Sequence, residues 1–171
     1  MAAVFTRIAG AKGKGVFAAR AFAAGEKIVY VEGTPIPNDV ALAMPQEKLD
    51  HMGSCDAHHC IVWREPECYI NHSCEPNVYE KNRWIIAMRD IAEGEELAFD
   101  YAMNGVSGID DWQMDCLCES ASCRKKVCGE FFALPVDVQR KYVPFLDDWF
   151  VQMYKEQIAR LRPIPILVNF K

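Results

Sequence analysis

The 171-residue sequence predicts a mainly β domain built from short strands, with a helix at its C-terminal end. Three observations carry this. Apolar runs of a few residues alternate with glycine turns near the N-terminus and again around residue 90. Prolines 35, 37, 45 and 66 interrupt the stretch between them, and from Tyr142 onward apolar residues recur at helical spacing.

In chain order, Val4–Ile8 reads as a strand, Lys12-Gly13-Lys14-Gly15 as a turn, and Val16–Ala19 as a second strand. Ala23-Ala24-Gly25-Glu26 is another turn, and Lys27–Glu32 a third strand, which together make a small β-meander. Residues 34–67 allow one short helix, near Asp39–Met44. Arg83–Arg89 and Leu97–Tyr101 are strands joined by the turn Asp90–Glu96. The turns at 23–26 and 92–95 are alike, but four residues are too few to establish a repeat. Met103–Asp111 is a glycine-containing loop. Tyr142, Leu146, Trp149, Phe150, Ile158 and Leu161 then mark one amphipathic helix, with Pro144 tolerated in its first turn. Residues 163–168 carry two prolines in an apolar run, which suits a tail that docks on the body, on a partner or on another copy.

A chain of this length, 51% hydrophobic and 11% aromatic, suits one domain with a real core. Its apolar runs fall short of a membrane helix and Met1–Gly10 is too short and broken for a signal peptide, so a soluble intracellular protein is expected, nuclear or cytoplasmic. The formal charge of −5 argues against direct nucleic-acid binding through phosphate neutralisation. It favours basic partners such as lysine-rich tails.

The 8 cysteines are unevenly spaced and crowd between Cys116 and Cys128, which fits metal thiolates better than disulfides. Cys116-x-Cys118-x4-Cys123 supplies three ligands of a tetrahedral zinc site. By position, Cys74, Cys128 and His72 all remain open as the fourth. A second group, Cys55-Asp56-Ala57-His58-His59-Cys60, has metal-ligand chemistry too, although adjacent His58 and His59 would point apart in an extended segment. Whether Cys55, His58, His59 and Cys60 hold a second metal is left open. A thiol redox function is disfavoured, since no Cys-x-x-Cys pair occurs.

The densest chemistry lies in Tyr69-Ile70-Asn71-His72-Ser73-Cys74-Glu75-Pro76-Asn77. Three further blocks accompany it in order: Lys12-Gly13-Lys14-Gly15-Val16-Phe17 with Gly25-Glu26 before it, then Gly94-Glu95-Glu96-Leu97-Ala98-Phe99-Asp100-Tyr101, then Cys116-Leu117-Cys118 with Cys123-Arg124. In these blocks the chain resembles the SET-domain protein lysine methyltransferases that carry a post-SET zinc element. The resemblance covers roughly residues 4–130.

It implies a fold of several short curved sheets with a pseudoknot, in which the central stretch and a later segment cross. It divides the chain into a SET domain at 4–115, a post-SET segment at 116–130 and a C-terminal helical extension and tail at 131–171. It implies methyl transfer from S-adenosylmethionine to lysine in a basic protein or peptide, a histone tail among the candidates. Gly13, Lys14, Gly15, Asn71, His72 and Leu117 would bind the cofactor, and Tyr101 would be the catalytic residue. Phe99 would set product specificity, permitting di- or trimethylation. Cys74 would join Cys116, Cys118 and Cys123 on a structural zinc, leaving Cys128 spare.

The chain departs from the family pattern before the central stretch, where Arg64-Glu65-Pro66-Glu67-Cys68 stands in place of a Gly-Asn-x-Ala-Arg run, and Ala98 replaces a common threonine. No cysteine-rich pre-SET segment is expected. The competing reading is a non-catalytic, zinc-stabilised SET-like module for protein interaction.

Overall fold

Residues 2–106, 109–110 and 112–161 are described by a computed structural model. Val4–Ile8 (β1) and Lys14–Ala18 (β2) form an antiparallel hairpin. Its turn is a short 3-10 segment closed by Gly13 at φ +80°, a conformation that glycine adopts without strain. Lys27–Tyr30 (β3) follows, then the two-residue strand Ile36–Pro37 (β4) and the helices Asn38–Leu42 (α1) and Gln46–Leu49 (α2). Both helices start directly after a proline, which cannot continue a helix from within but suits its entrance. Met52–Ser54 (β5), His59–Val62 (β6), Asn71–His72 (β7), Val78–Lys81 (β8), Trp84–Ala87 (β9) and Glu96–Phe99 (β10) continue the β-rich body. Gln113–Asp115 (β11) and Lys126–Cys128 (β12) form a hairpin that brackets the cysteine cluster.

The strands sort into small sheets of order β1-β2-β10-β7, β3-β9-β8, β4-β6-β5 and β11-β12. The predicted meander is therefore only a hairpin: β3 leaves β2 and pairs with β9. Partner choice is decided by burial, which puts Ile28 and Ile85 into one core with Val16. Residues 34–67 are more ordered than their prolines suggest, with two short helices and a three-stranded sheet instead of one helix.

The two look-alike turns are structural twins. Gly25 and Gly94 sit at φ +80° and +79°. In each turn the glutamate accepts from a local backbone amide, Ala23 N to Glu26 and Ala92 N to Glu95, both at 3.0 Å. Arg20 pairs with Glu26 at 2.7 Å and Arg89 with Glu95 at 2.6 Å. Phe22 and Ile91 exchange two backbone bonds of 2.9 Å, and Gly25 N donates to Ala87 O as Gly94 N donates to Ala18 O. Each partner pair keeps a constant sequence offset, so a local twofold relates the turns.

A second cluster gathers Ala102, Met103 and Phe131 with Tyr142, Phe150 and Ile158. The apolar stripe that suggested one C-terminal helix is carried by three: Val136–Tyr142 (α3), Asp148–Met153 (α4) and Lys155–Leu161 (α5). A 3-10 turn through Pro144 ends α3. Leu146 is extended, and Asp147 restarts the helix by accepting from Trp149 N at 3.3 Å. Tyr142, Leu146, Phe150 and Ile158 are all at most 1% exposed, so the stripe was core-facing although the helix was not continuous. Among the described residues no helix is long and apolar enough to cross a membrane. The 163–168 segment expected to dock lies outside the described residues.

Candidate functional site

The central stretch and β10 run side by side. β7 is parallel to β10, with Asn71 opposite Ala98 and His72 opposite Phe99, and Ser73 N donates to Phe99 O at 3.0 Å. Asn77 ties the crossing. Its backbone N donates to Ala98 O at 3.0 Å, its side-chain Oδ1 accepts from Ala98 N at 2.9 Å, and its Nδ2 donates to Glu96 O at 2.8 Å and Glu95 Oε1 at 3.0 Å. A buried carboxamide with every polar atom used is rigid, and it holds the strand end where Tyr101 emerges.

Tyr101 donates its backbone N–H to His72 Nδ1 at 3.2 Å and its hydroxyl to Ile70 O at 3.1 Å. Because Nδ1 accepts, the His72 proton resides on Nε2, which faces Cys74 Sγ at 3.4 Å. Burial pushes the His72 pKa down to about 4, so the ring is neutral and its 3.7 Å approach to Asp100 is not an ion pair. His72 is thus a spacer between the tyrosine and the thiol cluster. Burial also pushes the Tyr101 phenol up to about 12, which keeps it protonated at neutral pH. The Tyr101 ring lies 4.9 Å from Phe99 and 6.2 Å from Trp112, and Trp63 stacks on Phe99 at 5.6 Å.

Next to this row of rings is a cleft of about 110 Å³, whose walls include Lys12, Asn71, His72, Tyr101, Met114 and Leu117. Asn71 Nδ2 donates to Lys14 O at 3.2 Å and to Glu96 Oε1 at 3.0 Å, so both amide hydrogens are engaged and the amide orientation is set. The other Glu96 oxygen pairs with Lys12 Nζ at 2.6 Å. A Cβ on Gly15 would stand 2.8 Å from Ala9 Cβ and 3.0 Å from Asn71 Nδ2, so only glycine lets the turn reach Asn71. The walls take Ala11 and Lys12 from this turn, not Gly13, Lys14 or Gly15. The Lys14 ammonium instead lies over the Tyr69 ring at 4.1 Å and near Glu65 at 3.7 Å.

The Sγ atoms of Cys74, Cys116, Cys118 and Cys123 all lie within 4.8 Å of one another. Cys74 and Cys116 are 3.8 Å apart, close to the S···S edge of about 3.8 Å for a tetrahedron with 2.3 Å Zn–S bonds. Arg124 N donates to Cys74 Sγ and Lys125 N to Cys123 Sγ, each at 3.4 Å, so backbone amides face two of the four sulfurs. Four soft donors in this shape fit zinc. His72 and Cys128 are not in the cluster; the Cys128 thiol points to Glu130 O at 3.7 Å. The 55–60 group is a turn and not a second metal cluster: Asp56 accepts from His58 N and His59 N, the Cys55 thiol donates to His59 O, and the Cys60 thiol to Asn38 Oδ1.

Three features of the site had no role in the sequence reading. Trp63, in a proline-broken region, backs Phe99. Glu96 joins Lys12 to Asn71. Asp100, fully buried, accepts from Arg124 Nη2 at 2.7 Å and from the Tyr142 hydroxyl at 2.9 Å. Its mark in the sequence is its place between Phe99 and Tyr101, but β10 ends at Phe99, so strand alternation does not predict its partners.

The architecture is that of a β-rich domain that sets a four-cysteine cluster with the geometry of a metal site beside a tyrosine-walled cleft. The sequence profile of the SET domain matches residues 13–102, just over half of the chain, and the chain belongs to the SET-domain family. Histone-lysine N-methyltransferase ASHH3 of Arabidopsis thaliana is 31% identical over 134 residues, covering 67% of this chain and 35% of that protein. Probable histone-lysine N-methyltransferase set-23 of Caenorhabditis briggsae is 42% identical over 66 residues, 33% of this chain and 27% of that protein. The chain thus spans about a third or less of the length of these relatives. The crystal structure of KRYPTONITE in complex with mCHG DNA and SAH shares the fold at a TM-score of 0.55 and 22% identity, over 72% of this chain and 28% of that one.

Proposed function

We propose that this chain is an S-adenosylmethionine-dependent protein-lysine methyltransferase. The observation that carries the reading is the Tyr101 hydroxyl fixed on the Ile70 carbonyl at the junction of an aromatic row and a cleft walled by Asn71, His72 and Leu117. Histone-lysine methyltransferases among the relatives support it.

When bound, S-adenosylmethionine supplies a methyl group on a positively charged sulfur. Transfer to the neutral lysine amine would form one N–C bond and break one C–S bond, passing the positive charge from sulfur to the methylated nitrogen, which would shed a proton to solvent before a further methylation. The chain's own task is alignment and desolvation. Tyr101, protonated, orients the amine through its oxygen and does not act as a base. The apolar row of Trp63, Phe99 and Trp112 favours the neutral amine over the ammonium. Asn71 has its amide hydrogens tied up, which leaves Oδ1 as the acceptor for the cofactor's ammonium. The backbone at His72 would address the adenine, Leu117, which lines the cleft, would cover its face, and the Gly13-Lys14-Gly15 turn would offer its backbone to the cofactor's methionine end. Cys74, Cys116, Cys118 and Cys123 hold a structural zinc that closes the cleft and takes no part in the chemistry. Phe99 sets how many methyl groups fit.

In this reading residues 4–115 form the SET domain, 116–130 the zinc segment and 131–171 an extension. The substrate is a basic protein or peptide, a histone tail being the chemistry that the relatives' names suggest. The net charge of −5 gives no overall attraction to phosphate, so direct nucleic-acid binding is not part of the reading. An intracellular location agrees with thiols that must stay reduced to hold zinc. Calorimetry tests the first step: one S-adenosylmethionine should bind per chain, weakened by Asn71→Ala. Absence of binding by the zinc-loaded chain would favour the non-catalytic interaction module.

A further inference from the structure

Asp100 is the one fully buried charged residue of the strand end that carries Phe99 and Tyr101. Phe99 and Tyr101 contact each other at 4.9 Å, and the Asp100 carboxylate between them in sequence stands just past the end of β10. There it meets two segments that come from elsewhere in the chain. Oδ2 accepts from Arg124 Nη2 at 2.7 Å, immediately after the zinc-cluster residue Cys123, and from the Tyr142 hydroxyl at 2.9 Å, at the end of α3. Oδ1 accepts from Ala102 N at 3.2 Å and lies 3.7 Å from His72 Nδ1.

A carboxylate removed from water is tolerable only when its charge is met and its lone pairs are used. Arg124 provides the charge with a side chain 15% exposed, and its other terminal nitrogen, Nη1, is buried without a partner. The guanidinium is therefore committed to Asp100. Tyr142 is itself 0% exposed and packed in the second core cluster, so its hydroxyl is a fixed point and not a mobile one. Two rigid donors from different segments thus fix one side chain, and that side chain fixes the backbone between the site's two rings. Tyr101 N sits on His72 Nδ1 at 3.2 Å, one residue from this anchor.

We propose that Tyr142 and Arg124 are positioning residues that act through Asp100 to aim Phe99 and Tyr101, which makes the C-terminal helical extension a working part of the active site. The inference rests on the methyltransferase reading for its kinetic consequence, and on geometry alone for its structural one. The zinc segment and the extension share a single oxygen, so docking of either is felt by the other and by the strand end between the rings.

The test uses the full zinc-loaded chain and two variants, Tyr142→Phe and Asp100→Asn. Tyr142→Phe keeps the buried ring and deletes only the hydroxyl. Loss of a hydrogen bond to a buried charge should speed exchange of the Tyr101 amide proton, followed by NMR, by about tenfold, with the β1–β2 hairpin amides unchanged. Zinc content should stay at the wild-type level. In methyl transfer, kcat should fall by about tenfold with KM for S-adenosylmethionine within about twofold, because the defect is in aim and not in cofactor contact. Asp100→Asn should do the same more strongly. Wild-type Tyr101 exchange in Tyr142→Phe, or equal acceleration at every amide, would overturn the proposal in favour of ordinary core packing. If the wild-type chain transfers no methyl group, the methyltransferase reading fails, and the local exchange measurement still decides whether the extension positions Tyr101.

Discussion

The Tyr101 hydroxyl donates to the Ile70 carbonyl at 3.1 Å, while the Tyr101 backbone amide donates to the His72 ring at 3.2 Å. One tyrosine is thus held at both ends by the central stretch. Its phenol, pushed up to about 12, stays protonated through neutral pH. Its single hydrogen is spent on Ile70, so its lone pairs remain to accept, and in the proposed reaction they would face the lysine amine. Tyr101→Phe keeps the ring and removes that contact. Methyl transfer should fall by about 100-fold or more, the scale seen when one oriented polar group is deleted from a site, while circular dichroism and zinc content stay unchanged.

The thiol geometry separates two cysteines that are hard to separate by position in the chain. Cys74 is in the four-sulfur cluster and Cys128 is not. Cys74→Ser should release the zinc, weaken cofactor binding and lower the melting temperature. Cys128→Ser should keep one zinc per chain. Metal content by mass spectrometry reads both, and the opposite pattern would reassign the fourth ligand.

Phe99 lies between Trp63 at 5.6 Å and Tyr101 at 4.9 Å, so its ring is flanked by aromatic surface and itself brings no hydroxyl to hold a water. The wild-type chain should build di- and trimethyl-lysine. Phe99→Tyr should shift the product toward monomethyl-lysine by introducing a hydroxyl. Intact-peptide mass spectrometry counts the methyl groups directly. Monomethyl product only, unchanged by the substitution, would contradict the role given to Phe99.

Glu80 gives a stability prediction away from the cleft. Burial first, then the neighbouring Asp147 carboxylate, push its pKa up to about 8, against the smaller opposing effects of the Arg83 amide and charge. In the unfolded chain the same group titrates near its ordinary value of 4.5. Between these values the unfolded state has lost the proton and the folded state still holds it. Folding stability should therefore fall as pH rises from about 4.5 to about 8 and then level off. Glu80→Gln should flatten this slope and raise the melting temperature at pH 8, each kcal/mol gained being worth about 2–4 °C for a chain of this size. A wild-type melting temperature that climbs over that interval, with no gain in the variant, would show that Glu80 ionises freely.

What could be read in the sequence follows the range of the forces involved. Strand β1 has the predicted bounds, Val4–Ile8, because alternation and a glycine turn are local signals. Asn71 through Asn77 stand out in the sequence by their density of polar and thiol side chains, but their partners, among them Lys14, Glu96, Tyr101 and Arg124, are spread along the chain. The pairing of β3 with β9 was not legible, because partner choice depends on a core shared between distant segments. The single C-terminal helix failed at Asp147, a capping residue whose signal was present but weaker than the apolar stripe. Asp100, Arg124 and Tyr142 belong to three segments that only the fold unites, and no spacing rule joins them. Lys12 lines the cleft with its ammonium held by Glu96, a contact across the sheet that sequence spacing does not announce.

The most direct measurement is incubation of the zinc-loaded chain with methyl-labelled S-adenosylmethionine, core histones and a cell extract, beside Tyr101→Phe as control. Label is expected on lysine side chains of a basic protein and is expected to be lost in the variant. Unlabelled protein throughout, although S-adenosylmethionine binds, or equal labelling by wild type and Tyr101→Phe, would contradict it.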